Sequence, residues 1–103
     1  MLHPLEIERN IVLPIEIYPM FETALRHESG MTLAQHRAHI GELWSRFSAV
    51  AANNPHAWIR DHFSAEEIVT ASPSNRMVGY PYTKLMNSNN DVDMAAEIGR
   101  AHV

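Results

Sequence analysis

The chain has 103 residues, 46% of them hydrophobic, which fits one small globular domain rather than a disordered segment. Net charge is −4, Lys84 is the single lysine and the arginines are scattered, so the basic patch that nucleic-acid binding needs is excluded. Cysteine is absent, which excludes disulfides, thiolate metal sites and cysteine nucleophiles within these residues.

No apolar run is long enough to cross a membrane. Residues 1–10 mix apolar and acidic side chains without a basic lead into an apolar stretch, so they are not expected to act as a signal peptide. A cytoplasmic setting is the expectation. A chain of this length buries only about 60–65% of the surface its unfolded form exposes.

The first dozen residues, ending in Ile11-Val12-Leu13, are expected to be a short extended piece. Pro14 and Pro19 stand near the start of a helical pattern, where a missing N–H is tolerated. Ile17, Tyr18, Phe21, Ala24 and Leu25 follow at helical spacing as its apolar face, and Gly30 is the expected stop.

A second helix is the clearest element. Thr32 and Gln35 have the spacing of a capping box. Ile40, Leu43, Trp44, Phe47, Val50 and Ala51 form an apolar stripe, and Asn53-Asn54-Pro55 ends it. Residues 56–63 are expected to form a further helical turn that buries Ala57, Trp58 and Phe63.

Ser64 with Glu66 and Glu67 marks a helix start, because acidic groups in a first turn complement the helix dipole. Only a short turn is expected there, since Ile68-Val69-Thr70 favours extended backbone. Ser72 to Asn75 is a turn cluster, and Pro81 holds Tyr80 away from helix. Asn87 to Asp91 is polar, and Val92 to Ala96 has the pattern of an element beginning.

The last seven residues, Glu97 to Val103, back-translate to a very common short-read sequencing adapter. They are set aside from the fold reading as a tail, with native sequence expected to run to about Ala96 and Met1 expected to be internal.

Few residues carry chemistry by pattern. His36 and His39 share a helical face with Glu42, a set that is able to ligate zinc, but they do not form H-E-x-x-H. Solvated or half-buried histidines are the simpler reading. Trp44, Phe47 and Trp58 read as core before they read as a ligand pocket. No serine elbow or glycine-rich phosphate loop is present. Arg76 and Lys84 are able to meet a phosphate-bearing ligand, although a solvated surface role is the simpler account.

Four blocks carry a resemblance. The first is Leu13-Pro14-Ile15-Glu16-Ile17-Tyr18-Pro19-Met20-Phe21-Glu22-Thr23-Ala24-Leu25-Arg26. The second is His39-Ile40-Gly41-Glu42-Leu43-Trp44-Ser45-Arg46-Phe47-Ser48, followed by Asn54-Pro55-His56-Ala57-Trp58. The third runs from Ser72 through Gly79-Tyr80-Pro81-Tyr82-Thr83-Lys84 to Asn87. The fourth, Asn87 to Ala96, is a variant of N-A-S-G-x-N-D-G-A-A, matching at Asn87, Asp93, Ala95 and Ala96, with Asn90 and Met94 in place of glycines. In this order they resemble the thiolase family of acetyl-CoA acetyltransferases, in its lipid-transfer-type branch.

The resemblance implies a fold class. Residues 1–96 would be a mostly α fragment, part of the loop domain and adjoining N-terminal half of an α/β thiolase fold, with a core strand starting near 92–96. It implies CoA-dependent acyl transfer, by Claisen condensation or thiolytic cleavage, through a nucleophilic cysteine. That cysteine lies upstream of this segment in the family, and the histidines and second cysteine lie downstream. No catalytic residue, no metal ligand and no tightly bound cofactor is therefore assigned here. Arg76 and Lys84 are the candidate contacts to coenzyme A, the acyl-CoA is the expected partner, and the parent is expected to be a homodimer or homotetramer. Two rivals stand beside this reading: a stand-alone helical interaction module, and a small metal-binding protein using His36, His39 and Glu42.

Overall fold

The structure is a computed structural model that describes residues 2–93 and Ala95. Four helices precede a small hairpin: α1 (Pro4–Glu8), α2 (Pro14–Ser29), α3 (Leu33–Ala52), α4 (Ala65–Val69), β1 (Met77–Gly79) and β2 (Tyr82–Thr83), closed by a 3-10 turn at Lys84–Met86. The expected tail 97–103 lies outside the described residues, as do Met94 and Ala96. Val92, Asp93 and Ala95 carry no regular structure, so no strand begins among the described residues there.

The first correction is α1, where an extended piece was expected. His3 Nδ1 accepts from the Leu5 N–H at 3.2 Å, the Glu6 carboxylate accepts from the His3 N–H, and Pro4 occupies the first helical position. These local bonds satisfy the N–H groups that a helix start leaves unpaired. Asn10, at φ 58°, turns the chain out of the helix.

α2 starts at Pro14 and stops at Gly30, which takes the left-handed conformation at φ 70°. Its cap is half a box. Leu13 has no side-chain acceptor, but the Glu16 carboxylate accepts from the N–H groups of Val12 and Leu13, both at 2.9 Å. Pro19 is the sixth helical residue, not part of the first turn as expected, so the Ile15 carbonyl has no intrahelical N–H partner. β1 crosses there: a Cβ on Gly79 would lie 2.8 Å from the Ile15 oxygen. Only glycine allows the hairpin to approach α2 this closely.

The burial of α2 also differs from expectation. Of the expected face Ile17 is half-buried, while Tyr18, Phe21, Ala24 and Leu25 are exposed and the helix turns Pro19, Glu22 and Arg26 inward. Those three positions recur at helical spacing, so the same period describes both faces and does not choose between them.

α3 follows the expected capping box, with Thr32 Oγ1 accepting from the Gln35 N–H at 3.2 Å and Gln35 Oε1 accepting from the Thr32 N–H at 2.9 Å. Its buried line is His36, Ile40 and Gly41, with Trp44 half-buried, while Phe47 and Val50 remain exposed. Residues 56–63 form no helix, and Trp58 is 61% exposed, against expectation. Instead the segment is tied to α3 through Ser48 Oγ, which accepts from the Phe63 N–H at 2.9 Å, and through Ser45 Oγ, which donates to the Phe63 carbonyl at 2.8 Å.

Ile68 and Val69 were expected to be extended but belong to α4, where both are buried. Tertiary burial overrides the β-branched preference. The core is small: Ile40, Ile68, Val69 and Met86, flanked by Trp44, Phe63, Tyr82 and Leu85. Among the described residues far more large apolar side chains are exposed than buried, including Tyr18, Phe21, Leu25, Leu43, Phe47 and Val50.

Carboxylates accept from backbone N–H groups at the starts of α1, α2 and α4, and at two of them the carboxyl group is perturbed. A hydrogen bond from the Ser64 backbone, then one from its side chain, keeps Glu67 below its ordinary value of 4.5, and the Leu13 and Val12 N–H groups do the same for Glu16. A lowered folded value means stability that is complete above about pH 4.5 and lost as the pH falls through the lowered value. Far-ultraviolet circular dichroism during acid titration should therefore show helix loss below pH 4.5, and Glu67→Gln should flatten part of that change. An acid titration unchanged by Glu67→Gln would refute the role of this cap.

Candidate functional site

α2 and α3 do not pack closely along their length, and a cleft of about 530 Å³ opens between them. This is within the usual range for small-molecule sites. Its helical walls are largely apolar and aromatic, with Ile15 and Tyr18 from α2 and Leu43, Trp44 and Phe47 from α3, and the polar Asn87, Ser88 and Asn90 line it from the segment after the hairpin. Trp44 and Phe47 meet edge to face, with centroids 5.7 Å apart.

One polar cluster lies at the cleft. The Glu22 carboxylate accepts from the Tyr82 hydroxyl at 2.5 Å through Oε2, and its Oε1 lies 2.7 Å from His36 Nε2. Three elements thus converge on one carboxylate: α2 supplies it, α3 brings the imidazole and β2 brings the phenol. Burial, reinforced by the bond to Glu22, pushes the Tyr82 phenol above its usual range, so Tyr82 is the donor. His36 is 7% exposed, and its Nδ1 is buried without a hydrogen-bond partner.

The hairpin is placed by a second polar centre. Asn75 is buried, and its Nδ2 donates to the carbonyls of Ile68 at 3.0 Å, Glu67 at 3.2 Å and Thr70 at 3.3 Å. Its Oδ1 accepts from the Leu85 N–H at 2.9 Å. Thr83 is fully buried and donates from Oγ1 to the Ile68 carbonyl at 2.5 Å. These bonds fix β2 against the end of α4 and so set the position of Tyr82 opposite Glu22.

The candidates named from sequence are distributed differently. Arg76 and Lys84 are neighbours across the hairpin, since the Lys84 N–H donates to the Arg76 carbonyl at 2.9 Å, and both side chains are exposed. His36, His39 and Glu42 do not converge: His36 faces Glu22, and the other two are exposed. No group of three or more His, Cys, Asp or Glu among the described residues is arranged to hold a metal. Glu22 and Tyr82 were not singled out from the sequence. They are 60 residues apart, and neither belongs to a motif with a fixed spacing.

No protein-family model, curated protein or solved structure matches this chain. No described helix is long and apolar enough to cross a membrane.

Proposed function

We propose that this chain is part of a CoA-dependent acyltransferase of the thiolase kind, acting in the cytoplasm within a homodimeric or homotetrameric parent. The observation that carries the reading is a coincidence of two patterns. The elements holding the first two blocks of the resemblance, α2 and α3, also expose Tyr18, Phe21, Leu25, Leu43, Phe47 and Val50. Apolar surface of this extent is what a segment shows when its own elements do not cover it, and it fits packing against the remainder of a larger fold. The chemistry then resides in a cysteine and histidines outside these residues. Arg76 and Lys84, backbone neighbours with exposed side chains, are the candidate contacts to the phosphates of coenzyme A in this reading.

The same surface also supports a helical interaction module, in which a separate partner covers α2 and α3. Reading the source gene across both ends separates the two. One frame that carries a cysteine upstream, and histidine and cysteine motifs downstream, is the expected result. Start and stop codons bounding these 103 codons would overturn the acyltransferase reading and leave the interaction module.

A further inference from the structure

The cleft between α2 and α3 has a chemistry of its own, and the inference drawn from it rests on the second reading, in which no further part of the same fold covers Tyr18, Leu43 and Phe47. Among the described residues, Glu22 is the only formally charged side chain that lines it. His36 Nε2 meets the carboxylate at Oε1, and Tyr82 donates to it from the side of Oε2. A carboxylate has about four acceptor positions, and these two donors occupy two of them. What remains is a set of free acceptor positions on a carboxylate beside the aromatic side chains of Tyr18, Trp44 and Phe47, which attract cations as well as apolar groups.

We propose that this cleft binds a small amphiphilic organic cation, a primary ammonium carried on an aryl or alkyl body. The ammonium donates to the free positions of the Glu22 carboxylate, and the body lies along Trp44 and Phe47. The volume of about 530 Å³ accommodates a drug-sized molecule of this kind.

The test uses the full chain with Trp58→Phe, so that Trp44 is the single tryptophan reporter; Trp58 is exposed and outside the core. Phenylbutylamine, phenylbutanol and phenylbutyrate are titrated separately while Trp44 fluorescence is followed. The amine should bind at least about tenfold more tightly than the alcohol, the scale of one charge-assisted hydrogen bond, and the carboxylate more weakly than both. Glu22→Gln should remove the preference for the amine while retaining the alcohol. Equal affinities for the three probes, no response of Trp44, or a preference that survives Glu22→Gln would each overturn the proposal. If Glu22→Gln does not fold, the probe series on the Glu22 chain decides, with Tyr18→Ala expected to weaken all three.

Discussion

The Asn75→Asp variant is expected to lose its cooperative melting transition at neutral pH. Asn75 is 4% exposed, and its amide nitrogen is the donor to three backbone carbonyls at the end of α4. An aspartate there replaces the donor with a negatively charged oxygen facing those three oxygens. Leaving a buried charge without compensation costs about 3–5 kcal/mol. Small domains have only about 5–15 kcal/mol in total, and a core of four buried apolar side chains places this chain toward the lower end. Asn75→Ala should be milder, at about 2–3 kcal/mol, because it leaves carbonyls and the Leu85 N–H unpaired without adding charge.

The pH dependence makes this prediction specific. The apolar and carbonyl-rich surroundings raise the folded-state value of the new carboxyl above its unfolded value. Its penalty is then relieved as the pH falls through that raised value, when the carboxyl regains a proton to donate. Asn75→Asp should gain stability on mild acidification, whereas the parent chain loses stability there through Glu67 and Glu16. Thermal melts at a series of pH values separate the two. A variant that melts like the parent at neutral pH would show that Asn75 does not hold the hairpin to α4.

The second large effect is expected at Gly41, where α3 meets α4. A Cβ at this position would lie 3.0 Å from Val69 Cγ1, 3.1 Å from the Ala65 carbonyl oxygen and 3.3 Å from Ala65 Cβ. A first methyl therefore fits only if α4 shifts by a few tenths of an ångström. Alanine also gains about 1 kcal/mol of helix propensity over glycine, so Gly41→Ala should change stability little in either direction. Gly41→Val adds two further methyl groups against a backbone that cannot rotate away. It should cost about 1–3 kcal/mol or more, by moving α4 and opening the contact of Ile40 with Ile68 and Val69. Denaturant unfolding of the Gly, Ala and Val series measures the gradient. Equal midpoints for all three would mean that α3 and α4 are not held at this distance.

The two predictions bear on the cleft as well. Asn75 and Gly41 lie outside it, but both fix α4, and α4 fixes β2 through the Thr83 hydroxyl. Displacing α4 should therefore move Tyr82 away from Glu22 and weaken the response of Trp44 to the amine probe.

Helix ends were legible in the sequence because they are local. The Thr32–Gln35 box, the Ser64 cap and the Gly30 stop each depend on residues within one turn, and each forms as expected. α1 is equally local, and the signal of His3, Pro4 and Glu6 was present but unread. Burial was a different matter. Periodicity places Tyr18, Phe21 and Leu25 on one face of α2 but not the direction of that face, which the close approach of Gly79 to the Ile15 carbonyl decides. Trp58 is exposed because no described element covers it, and Ile68 and Val69 are helical because α3 offers them burial. By itself, then, the sequence determined the capped start of α3, the start of α4 and the stop of α2, and that cysteine chemistry is absent from these residues. Tertiary structure alone decided that Glu22, His36 and Tyr82 meet, since contacts spanning 14 and 60 residues depend on how α2, α3 and the hairpin pack and have no signature at fixed spacing.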